Sequence, residues 1–185
     1  MAEDRLEGTG QRLSIADVDR MGREEFVSRF GSLFEHSPWV AEGAWDERPF
    51  GSVDGLHDAF VRAVRDAPEE RRAALIRAHP DLAGKAALVG ELTSESAREQ
   101  SSAGLDRLSP EEYERFSRLN AAYREKFDLP FVICVRDHTK ESIFVAAEER
   151  LRNNLGEEVE TALREIARIS RLRLEDLVEE TGGER

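Results

Sequence analysis

An arginine interrupts the apolar face of the last helical pattern in the chain. At about 100° per residue, a helix over residues 157–178 places Arg173 in the middle of one apolar face. The apolar residues of that face are Val159, Leu163, Ile166, Ile169 and Leu177. A guanidinium among them costs free energy unless an anion pairs with it. Two interpretations of Arg173 remain. It either forms a structural ion pair or extends to the helix end to reach solvent, or it binds the carboxylate of a bound acid.

A histidine stands at the predicted end of another helix. His79 follows Leu75 by four residues and directly precedes Pro80, which disfavours helical conformation in the residue before it. A helix C-terminus favours the protonated ring, and histidine is the usual proton donor or acceptor near neutral pH. The alternative is a half-exposed histidine that only caps its helix.

Three polar side chains share one face of a third helix, which we expect to begin near Thr93 or Ser94. Ser96, Glu99 and Gln100 are three and four residues apart, so they lie on the same side of the helix. A hydroxyl, a carboxylate and an amide together suit a ligand with ureido or ring amide groups. A solvated polar face is the competing interpretation.

Metal and thiol chemistry are not indicated. The four histidines make no metal-binding pair of the H-x-x-x-H type, and no phosphate-binding glycine motif is present. These histidines are His36, His57, His79 and His138. Cys134 lies inside an apolar run, where a thiol usually behaves as a small hydrophobe with a raised pKa. We expect no metal site and a structural cysteine.

Composition limits the class of protein. The chain has 185 residues, 39% of them hydrophobic, which suits one globular domain with a sizeable core. Its formal net charge of −12 disfavours nucleic acid as a partner, because phosphate binding needs a basic face. No apolar stretch is long enough to span a membrane, and a single cysteine fits a reducing compartment. No secretion, peroxisomal or retention signal is recognisable, so we expect a cytoplasmic protein.

Helix signals predict an all-α, single-domain bundle of about eight helices over residues 13–179, with frayed tails at residues 1–12 and 180–185. Ser109, Pro110 and Glu112 form a capping box for a helix to about Lys126. A further helix is expected from about Thr139 to Leu155, ended by Gly156. One apolar, β-branched run, residues 131–135, looks strand-like. Alone it cannot form a sheet, so we expect a buried extended segment.

Six segments, taken in order, resemble the 2-oxo-4-hydroxy-4-carboxy-5-ureidoimidazoline (OHCU) decarboxylases. The resemblance extends from about Leu13 to Val178; residues 128–129 depart from the family pattern, and the N-terminal tail is unmatched. The segments are residues 35–42 (EHSPWVAE), 79–85 (HPDLAGK), 96–100 (SAREQ), 119–127 (LNAAYREKF), 130–136 (PFVICVR) and 171–178 (RLRLEDLV).

The resemblance implies an all-α homodimer without a cofactor and assigns roles to residues. His79 would be the catalytic histidine, with Glu99 beside it. The substrate would be contacted by the side chains of Pro80, Ser96, Gln100 and Arg173, and by backbone groups of Phe131, Val132, Ile133, Cys134 and Val135. The amides of this extended run would be free to bind a ligand.

The implied activity is that of a carboxy-lyase of purine breakdown. It would convert OHCU to (S)-allantoin and CO2, acting after urate oxidase and 5-hydroxyisourate hydrolase. Two alternatives belong to other classes. A catalytically silent helical protein could bind a ureide or a partner protein, although it would have little reason to carry His79, Glu99 and Gln100 together. A ureide hydrolase would need a metal site or an activated nucleophile.

Overall fold

The computed structural model describes residues 12–84 and 90–180, and within these ranges the chain forms nine α-helices. The predicted frayed tails fall almost entirely outside the described residues. The prediction of an all-α fold is confirmed. The helices are α1 (Ile15–Arg20), α2 (Arg23–Phe30), α3 (Trp39–Ala44), α4 (Val53–Arg65), α5 (Glu69–Ala78), α6 (Ser94–Ser102), α7 (Pro110–Phe127), α8 (Lys140–Arg150) and α9 (Leu155–Leu177).

The long helix α9 organises the packing, since it contacts both α4 and α5. Helix α3 packs against α4, and α6 packs against a short 3-10 turn, Val135–Asp137. Two tiny strands, β1 (Leu13–Ser14) and β2 (Val178–Glu179), pair in parallel at the end of α9. A cluster of aromatic side chains fills the core between α2, α3 and α4: Phe26, Phe30, Phe34, Trp45, Phe50 and Phe60.

Helix starts follow the capping signals in the sequence. Ser109 accepts a hydrogen bond from the backbone N–H of Glu112, whose side chain accepts one from the backbone of Ser109. This capping box satisfies two N–H groups that have no partner within the helix. Thr93 likewise accepts from the N–H of Ser96 at the start of α6. The predicted starts of α6 and α7 are therefore confirmed.

The predicted boundary between the last two helices is wrong. Helix α8 ends at Arg150, and Leu155 begins α9 with its side chain 55% exposed. The reason is Asn154, which caps α9 in a capping box with Glu157. Gly156 thus lies in the first turn of α9 and does not end α8.

The apolar run between α7 and α8 is extended and buried. Residues 130–134 form neither helix nor strand, and every side chain from Phe131 to Val135 is buried. Tyr123 of α7 packs edge-on against the ring of Phe131 at 4.9 Å. Among the described residues, no helix is long and apolar enough to cross a membrane.

The capping role of Asn154 gives a stability prediction. Asn154→Ala removes the side-chain acceptor at the start of α9 and should lower the free energy of unfolding by about 1 kcal/mol. Urea denaturation followed by far-UV circular dichroism measures it. The exposed neighbour Arg152 is the control, because Arg152→Ala should change stability by less than about 0.5 kcal/mol. Equal stability of both variants would contradict the capping role.

Candidate active site

A small cavity at the centre of the molecule gathers the residues that the sequence singled out. Helices α5, α6 and α9 and the extended segment form its walls. All predicted site residues except Cys134 line it, together with Leu82 and Ile169, which were not predicted. The residues lining the cavity are His79, Pro80, Leu82, Ser96, Glu99, Gln100, Phe131, Val132, Ile133, Val135, Ile169 and Arg173.

Arg173 is the most highly connected side chain of the site. Its Nε donates to Glu99 Oε1 at 2.7 Å and its Nη2 to Glu99 Oε2 at 2.8 Å, which is a bidentate ion pair. Its Nη2 also donates to Glu35 Oε1 at 3.1 Å, and its Nη1 to the carbonyl of Leu33 at 3.2 Å. Although burial opposes its charge, these two carboxylates raise the pKa of Arg173. The buried guanidinium is thus paired.

His79 is held as a neutral ring. Its Nδ1 lies 2.9 Å from the carbonyl of Leu75, an acceptor, so Nδ1 carries the proton and Nε2 has the lone pair. Burial lowers the pKa of His79 to about 4, against the opposing effects of the Leu75 hydrogen bond and the charge of Glu35. The alternative of a half-exposed capping histidine is therefore wrong, and burial outweighs the effect of the helix C-terminus on the ring. The hydrogen bond to Leu75 sets the tautomer of the ring.

A carboxylate that the site prediction did not include lies behind the cavity. Glu35 is 2% exposed and accepts hydrogen bonds from Ser96 Oγ, Thr93 Oγ1 and Arg173 Nη2. Burial would raise the pKa of Glu35, but the Ser96 hydrogen bond and the charge of Arg173 lower it overall. In the sequence, Glu35 was singled out only as part of the EHSPWVAE segment that carries the family resemblance. It lies outside any helix, so periodicity gave no signal.

Ser96 and Gln100 are already partly engaged within the protein. The hydroxyl of Ser96 donates to Glu35, so towards a ligand Ser96 is left as an acceptor. The Oε1 of Gln100 accepts from the N–H of Ala83 at 3.0 Å, which leaves the Gln100 NH2 group to donate. Ala83 has a positive φ of 49°, so this hydrogen bond also holds a strained loop next to His79.

Two backbone groups of the extended segment are already bound by side chains. Val132 O accepts from Arg150 Nη1 at 2.7 Å, and Cys134 N–H donates to Glu165 Oε2 at 2.8 Å. In an extended chain these two groups face the same side, so the backbone of Ile133 faces the other side. The expectation that all amides of the run are free is wrong for Cys134. Its thiol is buried as predicted, and burial raises its pKa to about 12.

The cavity is nearly closed in this conformation. Its volume is about 30 Å³, room for about one or two water molecules. A wider cleft of about 340 Å³ lies beside it, and Glu99 and Arg173 contribute to the walls of both. The Glu99–Arg173 ion pair therefore separates the cleft from the cavity. The Glu99–Arg173 pair thus lies between the wider cleft and His79.

Comparison with known proteins identifies the family of the chain. A model of the OHCU decarboxylase family matches residues 19–175. The chain belongs to the OHCU decarboxylase family. An OHCU decarboxylase of Haloferax volcanii is 47% identical over 162 residues, covering 88% of this chain and 94% of the relative. An OHCU decarboxylase of Halalkalicoccus jeotgali is 45% identical over 166 residues, covering 90% and 92%.

The likeness to the OHCU decarboxylase family extends to solved structures. A structure of (S)-allantoin synthase superposes with a TM-score of 0.72 at 26% sequence identity. The match covers 90% of this chain and 54% of that one. The region that the family model matches includes all the residues that line the cavity, since they lie between positions 79 and 173.

The neutral state of His79 predicts a pH-dependent stability. Its pKa is about 4 in the folded protein and 6.5 ordinarily, so between these values only the unfolded chain binds the proton. The free energy of unfolding should therefore fall as pH decreases from 6.5 towards 4, by on the order of 1–3 kcal/mol from this group. Urea denaturation of wild type and His79→Gln at several pH values measures the difference. Parallel pH dependences would contradict the assignment.

Proposed function

We propose that this protein decarboxylates OHCU to (S)-allantoin and CO2, as a carboxy-lyase of urate breakdown. The observation that carries the proposal is the placement of His79, Glu99, Gln100 and Arg173 around one cavity in a chain of the OHCU decarboxylase family. A silent binding protein would not need a buried neutral histidine beside an arginine with two carboxylates. Among the described residues, no group of three or more side chains could hold a metal ion, so a metal-dependent ureide hydrolase gains no support.

The substrate itself supplies the electron sink for the reaction. Its C4 carries the carboxylate and a hydroxyl, and the neighbouring C5 is part of a C=N bond. When the C4–carboxylate bond breaks, its electron pair forms a C4–C5 double bond and the imine nitrogen takes a proton. The hydroxyl proton then leaves as C4 becomes a carbonyl, and a proton arrives at C5. The protein must position the leaving carboxylate and move these protons.

His79 suits the proton transfers. Because its Nδ1 proton is bound to Leu75, the free Nε2 can accept a proton from solvent and then deliver it to C5 from one face of the ring. Such a fixed donor would give a single enantiomer of allantoin. General acid–base catalysis of this kind typically contributes a factor of ~10²–10⁴. Glu99, which does not orient His79, is then the candidate for handling the proton of the C4 hydroxyl.

Arg173 suits the neutral carbonyls of the substrate better than its carboxylate. With Glu35 and Glu99 ionised, the three side chains carry a formal charge of −1 (one positive and two negative groups). A tight grip on the carboxylate would also oppose its conversion into neutral CO2. We therefore assign Arg173 to the ureido or ring carbonyls, with the Gln100 amide and the Ile133 backbone as further contacts.

The remaining parts of the proposal come from the family resemblance. They are a homodimer, a cytoplasmic location, and a place after urate oxidase and 5-hydroxyisourate hydrolase. The resemblance also implies that no cofactor is required.

The reaction and the role of His79 can be tested together. Protein added to urate with urate oxidase and 5-hydroxyisourate hydrolase should rapidly produce optically active allantoin, followed by circular dichroism. His79→Ala should lower the rate by ~10²–10⁴. His57 is a matched control, because this half-buried histidine is also bound to a backbone carbonyl, that of Ala167 at 2.9 Å. His57→Gln should keep the activity. Spontaneous, optically inactive product with folded wild-type protein would refute the decarboxylase assignment.

Arg173 can be tested with a methionine of similar length. Arg173→Met leaves the substrate carbonyls without their donor, and kcat/KM should fall at least about tenfold. Arg171 on the same helix is the control, since it forms partly exposed ion pairs with Glu175 and Asp54. Arg171→Met should leave kcat/KM within about twofold. Unchanged turnover of Arg173→Met would remove Arg173 from the site.

A further inference from the structure

Two carboxylates face the guanidinium of Arg173, and their surroundings differ. The side chain of Glu99 is 14% exposed and lines both the cavity and the outer cleft. The side chain of Glu35 is 2% exposed and lines neither of them. Glu99 is thus accessible to a ligand, whereas Glu35 lies on the protein side of Arg173.

Glu35 is held by donors from two separate helices. Thr93 Oγ1 lies 3.1 and 3.2 Å from its two oxygens, and Ser96 Oγ donates to Oε1. Thr93 caps α6 and Ser96 lies in its first turn, so Glu35 also lies at the positive end of that helix. The third donor, Arg173 Nη2, comes from α9. Glu35 therefore joins the two helices that carry most of the polar side chains of the site.

Glu99, in contrast, has a single side-chain partner among the described residues. Its carboxylate is bound only by Arg173. If this bidentate pair opens, Arg173 keeps its hydrogen bonds to Glu35, to the carbonyl of Leu33 and to Ser96 Oγ at 3.4 Å. Opening of this pair would join the cavity to the wider cleft, because Glu99 and Arg173 line both of them.

We propose that Glu35 is a positioning residue that fixes Arg173 and Ser96 while Glu99 exchanges its bond to Arg173 for contacts with the substrate. This proposal rests on the decarboxylase function proposed above. It divides the two carboxylates by role: Glu99 touches the substrate, and Glu35 acts only through Arg173 and Ser96. Without Glu35, the guanidinium of Arg173 would move together with Glu99 when the cavity opens. It would then contact the substrate from the wrong position.

Glu35 also contributes to the electrostatic field at His79. The charged or titratable groups near this ring include Glu35 and His36 from the segment before α3, Arg173 from α9, and Glu99 of α6, which lines the same cavity. The negative charge of Glu35 raises the pKa of His79, whereas Arg173 lowers it. Removal of the Glu35 charge should therefore lower the pKa of His79 further. If neutral His79 accepts the first proton, the acidic limb of the kcat/KM profile moves to lower pH.

The decisive variant is Glu35→Gln, which keeps an acceptor oxygen but removes the charge. We expect KM to rise about tenfold or more, kcat to change less, and the acidic limb of the pH profile to shift to lower pH. Glu35→Asp keeps the negative charge but moves it away from Arg173. KM should therefore rise, whereas the acidic limb of the pH profile should not shift. Glu99→Gln should lower kcat most. Initial rates of optically active allantoin formation across pH give all of these values.

A purely structural role for Glu35 would give a different pattern. Asp19→Asn is the control, because this partly buried carboxylate accepts from the N–H groups of Phe50 and Gly51 away from the cavity. It should lower the melting temperature without changing KM or the pH profile. If Glu35→Gln behaves in the same way in an active enzyme, the positioning role is refuted and the proposed function survives. If Glu35→Gln does not fold, a wild-type KM in Glu35→Asp refutes the positioning role of Glu35. An inactive wild-type enzyme overturns both proposals.

Discussion

The buried guanidinium of Arg173 constrains the rest of the structure. A positive charge that is only 5% exposed must direct its donors to nearby acceptors, and those come from two distant parts of the chain. The segment before α3 supplies Leu33 and Glu35, and α6 supplies Glu99. Helix α9 can therefore occupy its central place only if both of these segments converge on it.

The need to pair buried polar groups also explains why the extended segment is not a helix. Two buried or partly buried side chains hold its backbone from outside the cavity: Arg150 binds the carbonyl of Val132, and Glu165 binds the amide of Cys134. Arg150 is itself paired with Glu158 at 2.6 Å and lies over the ring of Phe131. These contacts satisfy the backbone groups that face the scaffold and leave those of Ile133 towards the cavity. A helix would have consumed all of these groups internally.

Much of the site followed from local patterns in the sequence. Arg173 was marked by its place in an apolar stripe, and His79 by the proline after it. Ser96, Glu99 and Gln100 were marked by helical spacing. Their convergence on one cavity came from the family resemblance, because periodicity says nothing about which helices meet. Glu35 escaped site prediction because its partners are 58 to 138 residues away.

Two further features depend on physical effects that compete. The apolar spacing of Leu151 and Leu155 suits one continuous helix, but the capping box at Asn154 starts a new one. The helix C-terminus favours a charged His79, but tertiary burial makes the neutral ring more stable. In both cases the sequence shows each effect, and only the packed structure shows which is larger.

The pairing of Arg173 before any ligand binds has a consequence for catalysis. A free guanidinium would bind an anionic substrate tightly, and that binding would stabilise the ground state as much as the transition state, which adds nothing to turnover. In the mechanism proposed here the substrate displaces Glu99 from Arg173, so part of the attraction is offset by the lost ion pair. The displaced Glu99 carboxylate then lies next to the bound substrate as a proton acceptor. The ion pair that closes the cavity thus supplies, when it opens, both a donor for the substrate carbonyls and a base for its hydroxyl.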